Sequence, residues 1–203
     1  MKLIKEYEDP DIEGFCRDYS IPELVYFGKE LPTNDKKRHV ESIKRLTETG
    51  VCPIEELDTE YKGFSPLDNF TVIAQEAYEW DSIYSKRLQW LIDNWSSLIP
   101  TIRSKAFAYY KECYDDSLRS EGIDAEGWRY INDYLLPEPL AEDVVDRTFI
   151  LREIQISEDG KDIGIVGYST WNREHGFGIR VKSVDSIIVG DEEDGYRFDI
   201  NNG

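Results

Sequence analysis

The sequence predicts an α+β fold, a central helix hairpin packed on a C-terminal antiparallel β-meander. Three observations predict it. Apolar residues recur at helical spacing from Val72, Ile73, Ala77, Trp80, Ile83 and Tyr84 through Leu88, Leu91, Ile92 and Trp95. Pro100 stops that stripe, and Thr101 starts a second one with Ile102, Ala106, Tyr109, Tyr110 and Cys113 on one face. After Arg147 the apolar period shifts from 3.6 residues to 2.

The elements follow in order. Residues 1–32 read as irregular, punctuated by Pro10, Pro22 and Pro32, with one short strand at Leu24-Val25-Tyr26-Phe27 before Gly28. Thr33 or Asn34 caps a helix that runs to Thr49, with Asp35 in its first turn and Gly50 at its end. Residues 51–69, with Pro53, Gly63 and Pro66, form a long connection. The two central stripes, joined by a short proline-containing turn, pack as an antiparallel pair. A third helical pattern carries Trp128, Tyr130, Ile131, Tyr134 and Leu135 and ends at Pro137. Pro139 opens a short helix through Val144 and Val145.

Four strands follow. Phe149 to Ile156 is the first, with an irregularity between Leu151 and Ile154. Glu158-Asp159-Gly160-Lys161 is a hairpin turn with glycine where positive φ is needed. Ile163, Ile165 and Gly167 alternate in the second strand, Ile179 and Val181 in the third, and Val184 to Val189 forms the fourth, ending at Gly190. Four short strands alone make a weak core. The chain therefore reads as one domain, 1–203: an N-terminal part (1–69), a helical middle (70–146), a sheet (147–190) and an acidic tail (191–203).

The balance of 42 acidic to 24 basic residues gives a net charge of −18. Residues 1–100 hold 20 acidic and 12 basic side chains and the rest hold 22 and 12, so the excess is spread along the chain. Such a surface lacks the clustered Lys and Arg that bind nucleic acid, and it opposes anionic lipid. It suits a basic protein partner, because opposite fields speed encounter. Cys16, Cys52 and Cys113 are far apart, odd in number and without CxxC spacing, so they make no disulfide framework or zinc ribbon. The first residues carry no apolar signal region, and no run of about 18 apolar residues occurs. A reducing cytoplasm is the expected location.

Chemistry concentrates in few places. His39 stands in Lys36-Lys37-Arg38-His39 on a charged helix and reads as a solvated surface residue. Glu174 and His175 could pair as acid and base. Adjacent extended residues point to opposite faces, however, and turn polar groups commonly satisfy backbone amides, so a structural turn is the better reading. Gly176-Phe177-Gly178 lacks the length and the Lys-Ser/Thr of a phosphate loop. Asp191-Glu192-Glu193-Asp194 lacks the alternating ligands of a calcium loop and reads as a solvated tail or a patch facing a basic partner. No metal site, no cofactor and no catalytic residue is assigned, and the reading leans away from an enzyme. The binding candidates are Trp171, Glu174, His175, Asp191, Glu192, Glu193 and Asp194.

The string from Gly167 to Ile179, with Trp171, Glu174, His175, Gly176, Phe177 and Gly178 at its centre, resembles the C-terminal signature of a group of uncharacterised bacterial domains. That signature is Trp, two variable positions, Glu-His-Gly, an apolar residue and Gly. The likeness covers the last third of the chain and, more loosely, the helical middle. It implies an immunity-type binding protein that occludes a basic toxin. Two alternatives come from the residues themselves: a small hydrolase-like enzyme using Glu174 and His175, and an oligomeric structural or regulatory module.

Overall fold

The structure, a computed structural model, describes residues 1–9, 12, 14–28, 68–121, 142–169 and 175–198. Seven strands form one sheet in chain order: β1 (Lys2–Glu8), β2 (Gly14–Ser20), β3 (Asn69–Gln75), β4 (Phe149–Ile156), β5 (Ile163–Ser169), β6 (Phe177–Ser183) and β7 (Ser186–Gly190). Neighbours run antiparallel except β3 and β4, which are parallel. A parallel step needs a long crossover, and this one contains the helix α1 (Ser82–Glu121). A one-turn helix, α2 (Glu192–Tyr196), follows β7.

One sheet face and α1 share the core. The register aligns Val72, Ile154, Ile165, Ile179 and Val189 across five strands, and Ala74, Ile156, Ile163, Val181 and Ile187 beside them. Leu88, Leu91, Trp95, Leu98, Ile102, Ala106 and Tyr110 of α1 are buried in the same cluster. Phe149 stacks on Phe177 with ring centroids 4.1 Å apart and meets Phe27 at 4.6 Å. Removing such a ring from a core costs about 3–5 kcal/mol.

This architecture corrects the expected α+β arrangement. Among the described residues the fold is a seven-stranded mixed sheet with one main helix and one short helix, not a helix hairpin on a meander. Pro100 lies inside α1 and breaks nothing. The physical reason is phase: buried positions 88, 91, 95, 98, 102, 106 and 110 keep helical spacing straight through the proline. Burying that whole stripe on one sheet outweighs the ~3 kcal/mol that an interior proline costs. Pro100 itself is exposed.

The segment from Phe70 is strand, not helix. Val72, Ile73 and Ala74 are all buried, because β3 is covered on both faces. A doubly buried strand shows an apolar run with no period of its own. Residues 1–20 are also not irregular, since β1 and β2 form an antiparallel pair. The expected strand at 24–27 is instead a 3-10 turn, Pro22–Leu24, with Leu24 and then Phe27 dropped into the core. The expected helices at 33–49 and 128–135, most of the connection 51–69, and the start at Pro139 lie outside the described residues. A 3-10 turn, Glu142–Arg147, covers the Val144-Val145 position.

Two local devices anchor α1, one at its start and one along its length. Asp81 precedes it and accepts from Ile83 N at 2.8 Å, and that bond holds its carboxyl below the usual range. Further along, Arg103 grips both oxygens of Asp146 (3.0 Å from Nε to each) and donates to the Tyr26 hydroxyl. Gly28 N bonds Asp146 O at 2.7 Å, so this clamp pins the chain after the 3-10 turn. In the β4–β5 hairpin Gly160 takes φ +69°, and Asp159, bonded by Lys161 Nζ at 2.7 Å, is held down at about 2. Among the described residues no helix is long and apolar enough to cross a membrane.

Candidate functional site

The sheet face opposite α1 carries the polar side chains. The strand period of 2 puts them there, because Glu153 and Gln155 alternate with the buried Ile154 and Ile156 along β4. Gln155 donates to Glu153 Oε1 at 2.5 Å and accepts from Gln75 of β3, which also reaches Tyr196 O at 3.5 Å. At the β2 end, Asp18 Oδ1 accepts from Thr71 at 2.9 Å and from Tyr7 at 3.2 Å. Cys16 is buried on the same face, and burial pushes its thiol up. A raised thiol is a poor nucleophile.

Helix α2 lies on this face, across β5, β6 and β7. It rests on glycine. A Cβ at Gly164 would overlap the Gly195 carbonyl, 2.8 Å from its carbon. A Cβ at Gly178 would overlap the Asp191 carbonyl and stand 2.7 Å from Gly195 N. The helix is tied down at both ends. Glu192 N donates to His175 O at 2.8 Å, and the Arg180 guanidinium donates to Arg197 O. Asp191 caps the turn by accepting from Asp194 N at 3.2 Å.

Charge is crowded where α2 meets the sheet. Burial, with Glu192 adding to it, pushes the Glu153 carboxyl up against the bond from Gln155. Burial and Asp191 push the Asp194 carboxyl up, while Arg180 pulls it down. Arg180 is only 4% exposed.

The expected binding residues are thus dispersed in their roles. Asp191, Glu192, Glu193 and Asp194 are not a solvated tail: they cap and build α2, and only Glu193 of the four is fully exposed. His175 sits on an exposed turn, where its backbone carbonyl holds α2. Gly176 beside it takes φ +64°. Trp171 and Glu174 lie outside the described residues. The sequence reading missed Gln75, Glu153, Gln155 and Arg180. Their signal was present as polar residues alternating with buried apolar ones on β3, β4 and β6. Among the described residues no three His, Cys, Asp or Glu side chains gather as a metal site.

Residues 55–196 match the model of a family described as a domain of unknown function (DUF6985). The chain belongs to that family. The matched span of DUF6985 ends on Tyr196, the last residue of α2, so the short acidic helix falls inside the domain. Strands β1 and β2 fall outside it. No curated protein and no solved structure matches the chain.

Proposed function

We propose that this protein is a binding protein of the immunity kind, which neutralises a basic toxin by occluding it in the cytoplasm of a bacterium. The resemblance of the Trp171–Gly178 string to immunity-associated domains motivates the reading. One observation carries it. Tyr78 is 94% exposed on the turn between β3 and α1, with exposed Glu76, Glu79 and Asp81 around it in the chain. The β4–β5 hairpin adds exposed Glu158 and Asp159 nearby, tied to the start of α1 by Tyr84 Oη donating to Glu158 O at 3.3 Å. An aromatic anchor with a carboxylate rim is the kind of surface that seats Arg and Lys side chains. The experiment is co-expression with the product of the adjacent gene. Protection of the cell, and a complex that weakens as salt rises, are expected. No protection and no complex with any adjacent gene product would sink the proposal.

A second reading has one supporting observation. Strand β1 is an edge of the sheet, and its Leu3 and Ile4 are exposed. Edges of this kind pair with other chains. Light scattering decides it: a dimer that Ile4→Lys makes monomeric supports self-association, and a monomeric parent rejects it.

A further inference from the structure

We propose that residues 191–197 form a latch, closed on the glycine floor of the sheet at mildly acidic pH and released as the pH rises, which uncovers Gly164, Gly178 and Arg180.

The latch cannot hold itself. Helix α2 is one turn long, five residues from Glu192 to Tyr196, closed at its end by Arg197 N donating to Glu193 O at 2.9 Å. A single turn in isolation is unstable in water. What holds it is docking: the backbone approach to Gly164 and Gly178, and the bonds from Glu192 N, Arg180 and Gln75 at its two ends.

Charge acts against that docking. On the latch itself stand Asp191, Glu192, Glu193, Asp194, Tyr196 and Arg197. Facing it are Glu153 from β4, Arg180 from β6 and His175 from the turn before β6. Five carboxylates therefore meet two guanidinium groups. The Arg197–Glu193 pair, at 2.7 Å, is about half exposed on both sides and adds little. Arg180 spends its bond on a backbone carbonyl, and its buried Nε has no hydrogen-bond partner among the described residues. A buried polar atom left without a partner costs free energy in the closed state and so weakens the docking.

The sign follows from the two carboxyls that burial pushes up where the latch meets the sheet, Glu153 and Asp194. Their protonated forms favour the closed latch. That contribution is fully present below the ordinary carboxylate range and is lost as the pH rises through the raised values.

Amide hydrogen exchange, corrected for intrinsic rates, tests this on the full chain. The reporters are the amides of Glu192 and Arg197, with Ile187 to Val189 of β7 as the internal reference. Protection of the latch amides should fall several-fold between pH 5 and pH 8 while the β7 amides hold. Glu153→Gln keeps the acceptor for Gln155 without the charge, and Asp194→Asn removes the second carboxylate. Both variants should flatten the slope, and together they should nearly abolish it. Latch and β7 amides exchanging as one unit at every pH would overturn the proposal, and so would a pH slope that survives in the double variant.

Discussion

Gly164→Ala is the sharpest perturbation of the contact between α2 and the sheet. The change should be mildly favourable on an open strand, since alanine restricts the unfolded chain by about 0.4–1 kcal/mol. Here the new methyl overlaps the Gly195 carbonyl, a backbone group that cannot rotate away. Either β5 bends or α2 lifts. Lifting α2 strains the Glu192–His175 bond and the Arg180–Arg197 bond. A neutral bond of this kind contributes about 1 kcal/mol and one to a charged donor about 1.5–3 kcal/mol. The balance is a loss of about 2 kcal/mol, within the range for overpacked sites. At this chain length that lowers Tm by about 4–8 °C. Urea denaturation measures it, with Gly190→Ala as the control. The nearest atoms to a Cβ at Gly190 belong to the Asp194 side chain, whose carboxylate can turn aside where a backbone carbonyl cannot. Gly190→Ala should therefore cost clearly less. Equal losses at the two positions, or none at Gly164, would refute the reasoning.

Other outcomes are as specific. Pro100→Ala should stabilise the protein by about 2 kcal/mol, because α1 runs through an exposed Pro100; a loss in thermal unfolding would mean that the proline is needed where it stands. Phe149→Ala should cost about 3–5 kcal/mol in urea titration, through the rings of Phe27 and Phe177. Arg103→Leu should cost about 2 kcal/mol, since the half-buried Asp146 would lose its two-pronged cationic partner; a double-mutant cycle with Asp146→Asn should return part of that loss, and additive losses would deny the clamp. Glu153→Gln should raise stability at pH 8 and leave it unchanged near pH 4, because burial raises this carboxyl in the folded state. Tyr78→Ala should weaken a basic partner by about 2 kcal/mol in calorimetry and leave urea unfolding unmoved.

The last four strands were legible because β4 to β7 join through short connections, β4 to β6 carry apolar residues at a spacing of 2, and β7 is a short apolar run ended by Gly190. The irregularity in β4 is a register shift between Leu151 and Glu153. The first three strands were not legible, for three different reasons. In β1 only Tyr7 is even half-buried, so there is no inward face to see. Cys16 and Tyr19 of β2 are buried on opposite faces. Strand β3 is buried on both faces and mimics a helix start. Pro100 misled because local breaking rules carry no knowledge of the sheet beneath the helix. At the site, Asp191 to Asp194 looked like solvent-facing charge, since nothing nearby announces that Gly164, Gly178 and Gly190 make a floor. That floor depends on register between strands, which composition does not record.

The boundary of the family match bears on how this protein can be cut. Strand β2 pairs with β3 over seven consecutive positions, from Gly14–Gln75 to Ser20–Asn69. A fragment that begins at residue 55 would turn β3 from an interior strand into a rim. Its row of amides and carbonyls would be bare beside Val72, Ile73 and Ala74, an invitation to stick to its neighbours. Recombinant work on this domain should therefore keep the first twenty residues, and relatives that lack them need some other cap on that side of the sheet.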